Sequence, residues 1–582
     1  MKRSTVFLFA LVLTYAFAGI LVAQGPQLLG TIEGVPAEDK DFAGESKRLA
    51  KGDVNGDGYT DLVVGGTGYG KIRVFLGDDL GIDGTADVTI DLPDGLTSAS
   101  YFAHAVAVGD LNGDGYDDIV TGAPFVEVDG SANAGIVYIY LGGDPMDNTV
   151  DLEIPCPHPF KTNAYFGKGI VVGHFNTDEY ADFYVAASRG SIWGKTPYYR
   201  PGSYYDGPDA ETYHGIIYLY LGGAELSSEH DSYPIIGQSS SGQAGDRAMD
   251  IGDVNNDGWD DLLLGEHGAS YNHDNKMEEC GKVTLYLGGK FLDHSPDIVI
   301  PKQDTSATYE FFGNSLANAG DVNGDGYDDL VVGLNPWGGQ TMGKVYLFYG
   351  PLRKLDADLI IYTPEEVDVD NKLNWGSYNG VAGLGDINGD GYGDFLVNGY
   401  MENTEDGKAY IFLGDPNFGV NNYFTIDGEA GSFSHFGAAG LALGDITGDG
   451  INDFAISAPN YGQTGSGKIY LYEGSADITV GIKKQAANVP SSYSLKQNYP
   501  NPFNPETVIE YNLDKPGQVV LKIYNNLGQE IKTLVNEKEA TGFHKINWDG
   551  TDSNGQKVGS GIYFYKIEAE GHQFSKKMVM IK

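Results

Sequence analysis

Seven short acidic segments recur along the chain: DVNGDGYTD from Asp53, DLNGDGYDD from Asp110, HFNTDEYAD from His174, DVNNDGWDD from Asp253, DVNGDGYDD from Asp321, DINGDGYGD from Asp386 and DITGDGIND from Asp445. Six of them share one pattern, with an oxygen-bearing side chain at positions one, three, five and nine. These are Asp53, Asn55, Asp57 and Asp61; Asp110, Asn112, Asp114 and Asp118; Asp253, Asn255, Asp257 and Asp261; Asp321, Asn323, Asp325 and Asp329; Asp386, Asn388, Asp390 and Asp394; and Asp445, Thr447, Asp449 and Asp453. Position seven offers a backbone carbonyl, at Tyr59, Tyr116, Trp259, Tyr327, Tyr392 and Ile451. Position six is glycine, where a sharp bend at positive φ would disfavour a side chain. Donors that are all oxygen, with no thiolate or imidazole, suit calcium better than zinc or copper. Magnesium is disfavoured because it dehydrates reluctantly.

A helix–loop–helix calcium hand begins in the same way but needs a carboxylate at position twelve. Here that position holds Val64, Thr121, Val185, Leu264, Val332, Val397 or Ile456. Each loop runs instead into an apolar, β-branched stretch such as DLVVGG or DFAISAP, so it should join two strands. The third loop is degraded, with His174 at position one and Glu179 in place of glycine, and weak or absent metal binding is expected there. The sequence therefore predicts about six calcium ions with a structural role.

The loop starts lie 57 to 79 residues apart, room for four short strands per repeat. In each unit an inner strand enters the acidic loop, a second strand such as DDIVTGAP leaves it, a third such as GIVYIYLGG follows, and a fourth such as DLEI closes the unit. The third strand is expected to alternate apolar and polar residues. Six repeats have a fourth strand downstream; the seventh does not. An orphan segment, QLLGTIEG, precedes the first loop and is expected to complete the seventh unit and close the ring, with DITVGIK after Ser475 as a rival for that place. The units resemble the FG-GAP repeats of integrin α-subunit propellers. The FG element is Phe166-Gly167, Phe312-Gly313 and Phe436-Gly437, with Phe102-Ala103 and Trp375-Gly376 as variants; the GAP element is Gly122-Ala123-Pro124 and Ser457-Ala458-Pro459. The resemblance implies an all-β chain with a seven-bladed propeller over residues 27–482 and cations in the loops between first and second strands. It does not settle activity.

From about Tyr493 the composition changes to short alternating strands separated by turns, which indicates a small Ig-like β-sandwich over 493–582, joined through a linker at 483–492. Pro500-Asn501-Pro502-Phe503-Asn504-Pro505, Gly528-Gln529, Trp548-Asp549-Gly550 and Ser560-Gly561-Ile562-Tyr563 resemble a type IX secretion C-terminal sorting domain. That resemblance implies export by outer-membrane type IX machinery of a Gram-negative bacterium, with the protein attached to its outer surface or released.

The formal net charge of the 582-residue chain is −44, and it lies in the repeats, since eleven lysines offset ten acidic residues from Pro490 onward. Such a surface disfavours nucleic acid as a partner. Residues 1–23 have the form of a secretory signal, with Lys2 and Arg3 before an apolar run; a retained anchor is the alternative, and no other segment could span a bilayer. The two cysteines, Cys156 and Cys280, cannot be paired from sequence.

A ligand surface is expected in the long loop of the third repeat, where Trp193, Tyr198, Tyr199, Arg200, Tyr204 and Tyr205 combine aromatic faces with a guanidinium, chemistry suited to an extracellular glycan or protein. No zinc-protease, serine-elbow or phosphate-loop motif occurs, so no catalytic residue is assigned. A glycan-active hydrolase or lyase using His267, with His273 and Asp274, is the competing reading.

Overall fold

The computed structural model describes residues 25–35, 48–157, 163–189, 215–267, 281–334, 343–479 and 494–581. Shorter interruptions fall at 69, 231–233, 238–242, 246–248, 291–294, 304–310, 353–355, 364–379, 400, 463–464, 496–497, 499, 514–516, 526–527, 540–541 and 570–571. The signal-like start, the linker, Cys280, His273, Asp274 and the aromatic loop from Trp193 to Tyr205 lie outside the described residues. The chain divides into two compact units, one spanning Ala23–Gly481 and one containing Ile482–Lys582.

In the first unit the described strands form seven four-stranded antiparallel sheets. Their first strands are Leu49–Gly52, Val106–Gly109, Phe166–Gly173, Met249–Gly252, Phe312–Asn318, Val381–Gly385 and Gly440–Gly444. Each first strand packs on the next, and the last packs on the first. Together they line a central channel of 480 Å³. The second strands, such as Asp61–Gly66 and Asp118–Ala123, are buried along their whole length because a neighbouring sheet covers each face. This is why they appear in sequence as unbroken apolar runs.

Most third strands differ from the expected alternation, which Lys71–Phe75 keeps with Lys71 and Arg73 half-buried between Ile72 and Val74. Ile216–Tyr220 and Lys282–Tyr286 are buried throughout. Their tyrosines serve as core aromatics, and the phenylalanine of the FG element packs edge-on against them, as Phe166 does on Tyr218 at 5.7 Å and Phe312 on Tyr346 at 5.4 Å. The glycine that opens a third strand lies against the next sheet: a Cβ on Gly281 would stand 1.9 Å from the Phe312 carbonyl oxygen. Only glycine permits that approach.

The seventh sheet takes its fourth strand from the other end of the chain. Gln27–Glu33 pairs antiparallel with Lys468–Glu473, placing Ile32 beside Ile469 and Glu33 beside Lys468. The Lys468 ammonium reaches Glu33 at 3.2 Å and Glu429 at 2.7 Å and lies over the rings of Tyr461 and Tyr470. The rival segment after Ser475 forms a turn among its described residues.

The second unit has two sheets, of three and four strands, enclosing Trp548, Ile509, Tyr511, Leu521, Tyr565 and Met578. The Trp548 indole donates to the Thr551 carbonyl at 2.9 Å, so its one polar atom is satisfied. Strand Gly561–Ala569 alternates strictly at its core, with Tyr563, Tyr565 and Ile567 turned inward.

The closing strand can be tested. Ile32 is the fully buried side chain of that strand, and Ile32→Ala is expected to cost about 2–5 kcal/mol in denaturant unfolding. Deleting Gln27–Glu33 should lower the melting temperature further and promote association through the exposed edge of Lys468–Glu473, visible by size-exclusion chromatography.

Candidate metal centres

Each acidic loop is shaped by its own carboxylates. In the first, Asp53 accepts from the N–H of Asp57 at 3.0 Å and of Gly58 at 2.8 Å, Asn55 Oδ1 accepts from the same Asp57 N–H at 3.1 Å, and Asp57 accepts from Tyr59 N–H at 2.9 Å. Two side-chain oxygens thus meet at a single amide. Equivalent bonds recur around Asp110, Asp253, Asp321, Asp386 and Asp445. The six position-six glycines have φ between 88° and 91°. Position four is left-handed as well, between 55° and 78°, a requirement that the spacing did not reveal; Asn256 meets it in the fourth loop because Asn tolerates this region.

Position nine has a further role. Its carboxylate is fully buried in all seven repeats. In the six regular loops one oxygen accepts the N–H of position two and the other accepts the N–H of a glycine just beyond the third strand, all at 2.7–3.0 Å. Asp182 keeps the second bond, to Gly222, in the degraded loop. Burial pushes these groups up, against the pull of the two amides and aided by the neighbouring loop aspartates: Asp61 to about 6, Asp118 and Asp261 to about 7, and Asp329 to about 8.

Among the described residues, backbone bonds also fasten the loops to the following sheet at five junctions. The N–H of Asp117, Ala181, Asp260, Gly393 and Asn452 donates to the position-one carbonyl of the preceding loop at 2.8–3.2 Å. The N–H of Gly143, Gly223, Gly289, Asp415 and Ser475 donates to its position-two carbonyl at 2.8–2.9 Å. Pro351 takes the second donor's place in the fifth repeat and has no N–H to give. Three position-eight carboxylates strengthen the seam, Asp117 accepting from Asp53 N–H at 2.8 Å, Asp260 from His174 N–H at 2.7 Å and Asp328 from Asp253 N–H. Sequence reading passed over these residues, although their acidity at a fixed position was a visible signal.

Among the described residues no three carboxylate, imidazole or thiol groups converge on one point. The reason is visible in the loop: positions one, three and five crowd the turn, while position nine faces the two buried amides. The donor set still fits a hard cation, because it is oxygen throughout and because Asp53 and Asp57 raise the energy of an ionised Asp61, a repulsion that a divalent ion would relieve. An amide-bonded carboxylate oxygen retains a lone pair for an ion. In the third loop His174 Nδ1 lies 3.2 Å from the Tyr180 carbonyl, the group that would serve as the position-seven donor.

Of the other sequence candidates, Cys156 is buried. His267 is buried at the end of the fourth repeat's second strand, with its ring 6.1 Å from Phe311. The adjacent Glu266 pairs with Lys282 at 3.2 Å and accepts from Thr284 at 3.1 Å.

The chain matches the FG-GAP repeat family over residues 102–140, 312–348 and 436–472, and the FlgD Ig-like domain family over residues 504–573. It is 29% identical to integrin alpha-5 of Xenopus laevis over 263 residues, 44% of this chain and 21% of that protein. It is 26% identical to integrin alpha-8 of Gallus gallus over 378 residues, 62% of this chain and 33% of that protein. With integrin alpha-7 of Mus musculus the identity is 32% over 186 residues, 31% of this chain and 14% of that protein. The chain thus spans a third or less of the length of these relatives.

Two expectations concern the metal-free protein. Asp118→Asn sets an amide donor against a buried N–H and should cost about 1–3 kcal/mol in EDTA, whereas Asp114→Asn on the exposed rim should change stability little; equal costs would remove the structural role given to position nine. The raised position-nine groups hold protons when folded that they release when unfolded, between roughly pH 4 and their folded values. Their contribution to stability should therefore improve as pH falls from 8 toward 5.5, and Asp329→Asn should flatten that slope in chemical unfolding followed across pH. Three segments of the chain thus match the FG-GAP repeat, its repeats are similar to integrin α subunits, and a segment matching the FlgD Ig-like domain follows.

Proposed function

We propose that the protein is a non-catalytic binding or adhesion module, secreted or held at the outer surface of a Gram-negative bacterium, whose propeller is stiffened by calcium in six loops. The observation that carries the reading is the repeated loop itself: one all-oxygen donor set, bonded in the same way in six repeats and stitched in most of them to the following sheet. Asp, Asn or Thr at positions one, three and five and the position-seven carbonyl would hold the ion, with position nine sharing an oxygen. Calcium bound there would couple sheets as well as fix a turn. The similarity to integrin α subunits supports a protein or glycan ligand outside the cell. The Ig-like unit is proposed to act as the type IX address, consistent with its Pro-Asn-Pro-Phe-Asn-Pro start. No helix among the described residues is long and apolar enough to cross a membrane.

If calcium stands at ten times its dissociation constant, each independent site adds about 1.4 kcal/mol and six add roughly 8, comparable to the whole stability of a typical domain. Scanning calorimetry should therefore show a large fall in melting temperature with excess EDTA, restored by calcium and only partly by magnesium. Asp114→Ala should remove about one site's share. A melting curve indifferent to chelator would defeat the structural role of calcium.

A further inference from the structure

On the end of the propeller opposite the acidic loops, three segments bring aromatic rings into one strip. Tyr101 ends a short 3-10 turn before the second repeat, Phe125 follows that repeat's second strand, and Tyr165 precedes the third repeat. The ring centroids of Tyr101 and Phe125 are 4.7 Å apart, and those of Phe125 and Tyr165 are 5.0 Å apart. Backbone bonds fix all three: Tyr101 N–H to Ser98, Phe125 N–H to Ser100 and Tyr165 N–H to Asn133. At the Tyr165 end stand two cations, Arg189 with its guanidinium carbon 5.3 Å from the ring centre and Lys168 with its ammonium at 5.7 Å.

Exposure and charge set this strip apart from ordinary rim packing. Tyr101 and Tyr165 are left-handed, at φ 53° and 55°, as are Phe311 and His435 before the FG elements of the fifth and seventh repeats, so this backbone belongs to the repeat. That backbone turns the following phenylalanines, Phe102 and Phe166, into the core, while Tyr101 stays 43% exposed and Tyr165 half-buried. The second feature is charge: two cations lie beside the strip in a chain of net charge −44.

We propose that this strip is a binding subsite for an anionic glycan, with sugar rings stacked on Tyr101 and Phe125 and a uronate carboxylate directed to Arg189 and Lys168. The inference rests on the reading of the propeller as a binding module and names the class of its ligand. The rings are tilted to one another, by 39° and 53°, so they offer a curved line of faces and edges along which a sugar chain can lie. Aromatic faces match the C–H faces of sugars, and a guanidinium pairs with a carboxylate in a fork. An acidic peptide would instead call for backbone partners or deep side-chain pockets, and the strip consists of ring faces and cations.

The test is isothermal titration of the full chain, in calcium, with hexagalacturonate, a neutral galactohexaose and hexaglutamate, alongside a matrix-protein array. Hexagalacturonate should bind, with affinity falling as salt rises, and the neutral sugar should bind at least tenfold more weakly. Tyr101→Ala should weaken binding about tenfold with an unchanged melting temperature, and Arg189→Gln should reduce the salt dependence. Phe125→Leu provides a second ring variant that preserves packing. Unchanged affinity in these variants, or equal binding of hexaglutamate, would overturn the subsite. Failure of hexagalacturonate to bind while a matrix protein is captured would overturn the subsite and leave the binding-module reading standing; silence from every ligand would remove both.

Discussion

The propeller depends on one buried carboxylate used seven times. Each position-nine aspartate joins its acidic loop to the turn beyond the third strand, and so ties together the two connections at one end of its sheet. Burying a charge without a partner is costly. Here the cost is met by two backbone N–H donors at every regular site, and it is not fully offset, because burial still raises these groups toward neutrality. The sheets are therefore held by groups that favour either a proton or a nearby cation. The acidic loop and the hydrophobic wedge beneath it form one device: the wedge supplies the low-dielectric surroundings, and the loop supplies the polar atoms that make those surroundings tolerable.

The blade-to-blade bonds extend this device around the ring. A loop that grips its own turn also presents position-one and position-two carbonyls to the next sheet. Stiffening a single loop thus tightens a seam between two sheets. The seams are not equal. Pro351 withdraws one donor from the fifth repeat, and His174 replaces a carboxylate in the third. In the third repeat the imidazole turns back to the Tyr180 carbonyl, and the position-one carboxylate of the regular loops has no counterpart there.

Much of the architecture was legible from the chain because periodicity and spacing are local properties. The β-branched runs after each acidic loop marked strands, and glycine at position six marked a left-handed turn. Position nine was legible as an oxygen donor but not as a buried node, since its second partner, Gly77 or Gly142 for example, lies across the sheet and sets no pattern near it. Most third strands were misread as alternating because lysine, threonine and tyrosine look polar in sequence; with sheets on both sides, Lys282, Thr284 and Tyr286 are all buried. The aromatic strip was invisible for a related reason. Tyr101, Phe125 and Tyr165 are far apart in the chain and meet only where two repeats adjoin.

The pairing of Glu33 with Lys468 carries a consequence for how this molecule is made. The first strand of the ring emerges early, and its partner follows roughly 430 residues later, a separation that makes closure a slow, late step. Until then the ring is an open arc with two unpaired edges, vulnerable to joining the wrong chain. Completion of the last repeat becomes the event that commits the molecule, and a prematurely terminated copy retains a visible defect, an unclosed rim that quality-control proteases and chaperones can recognise.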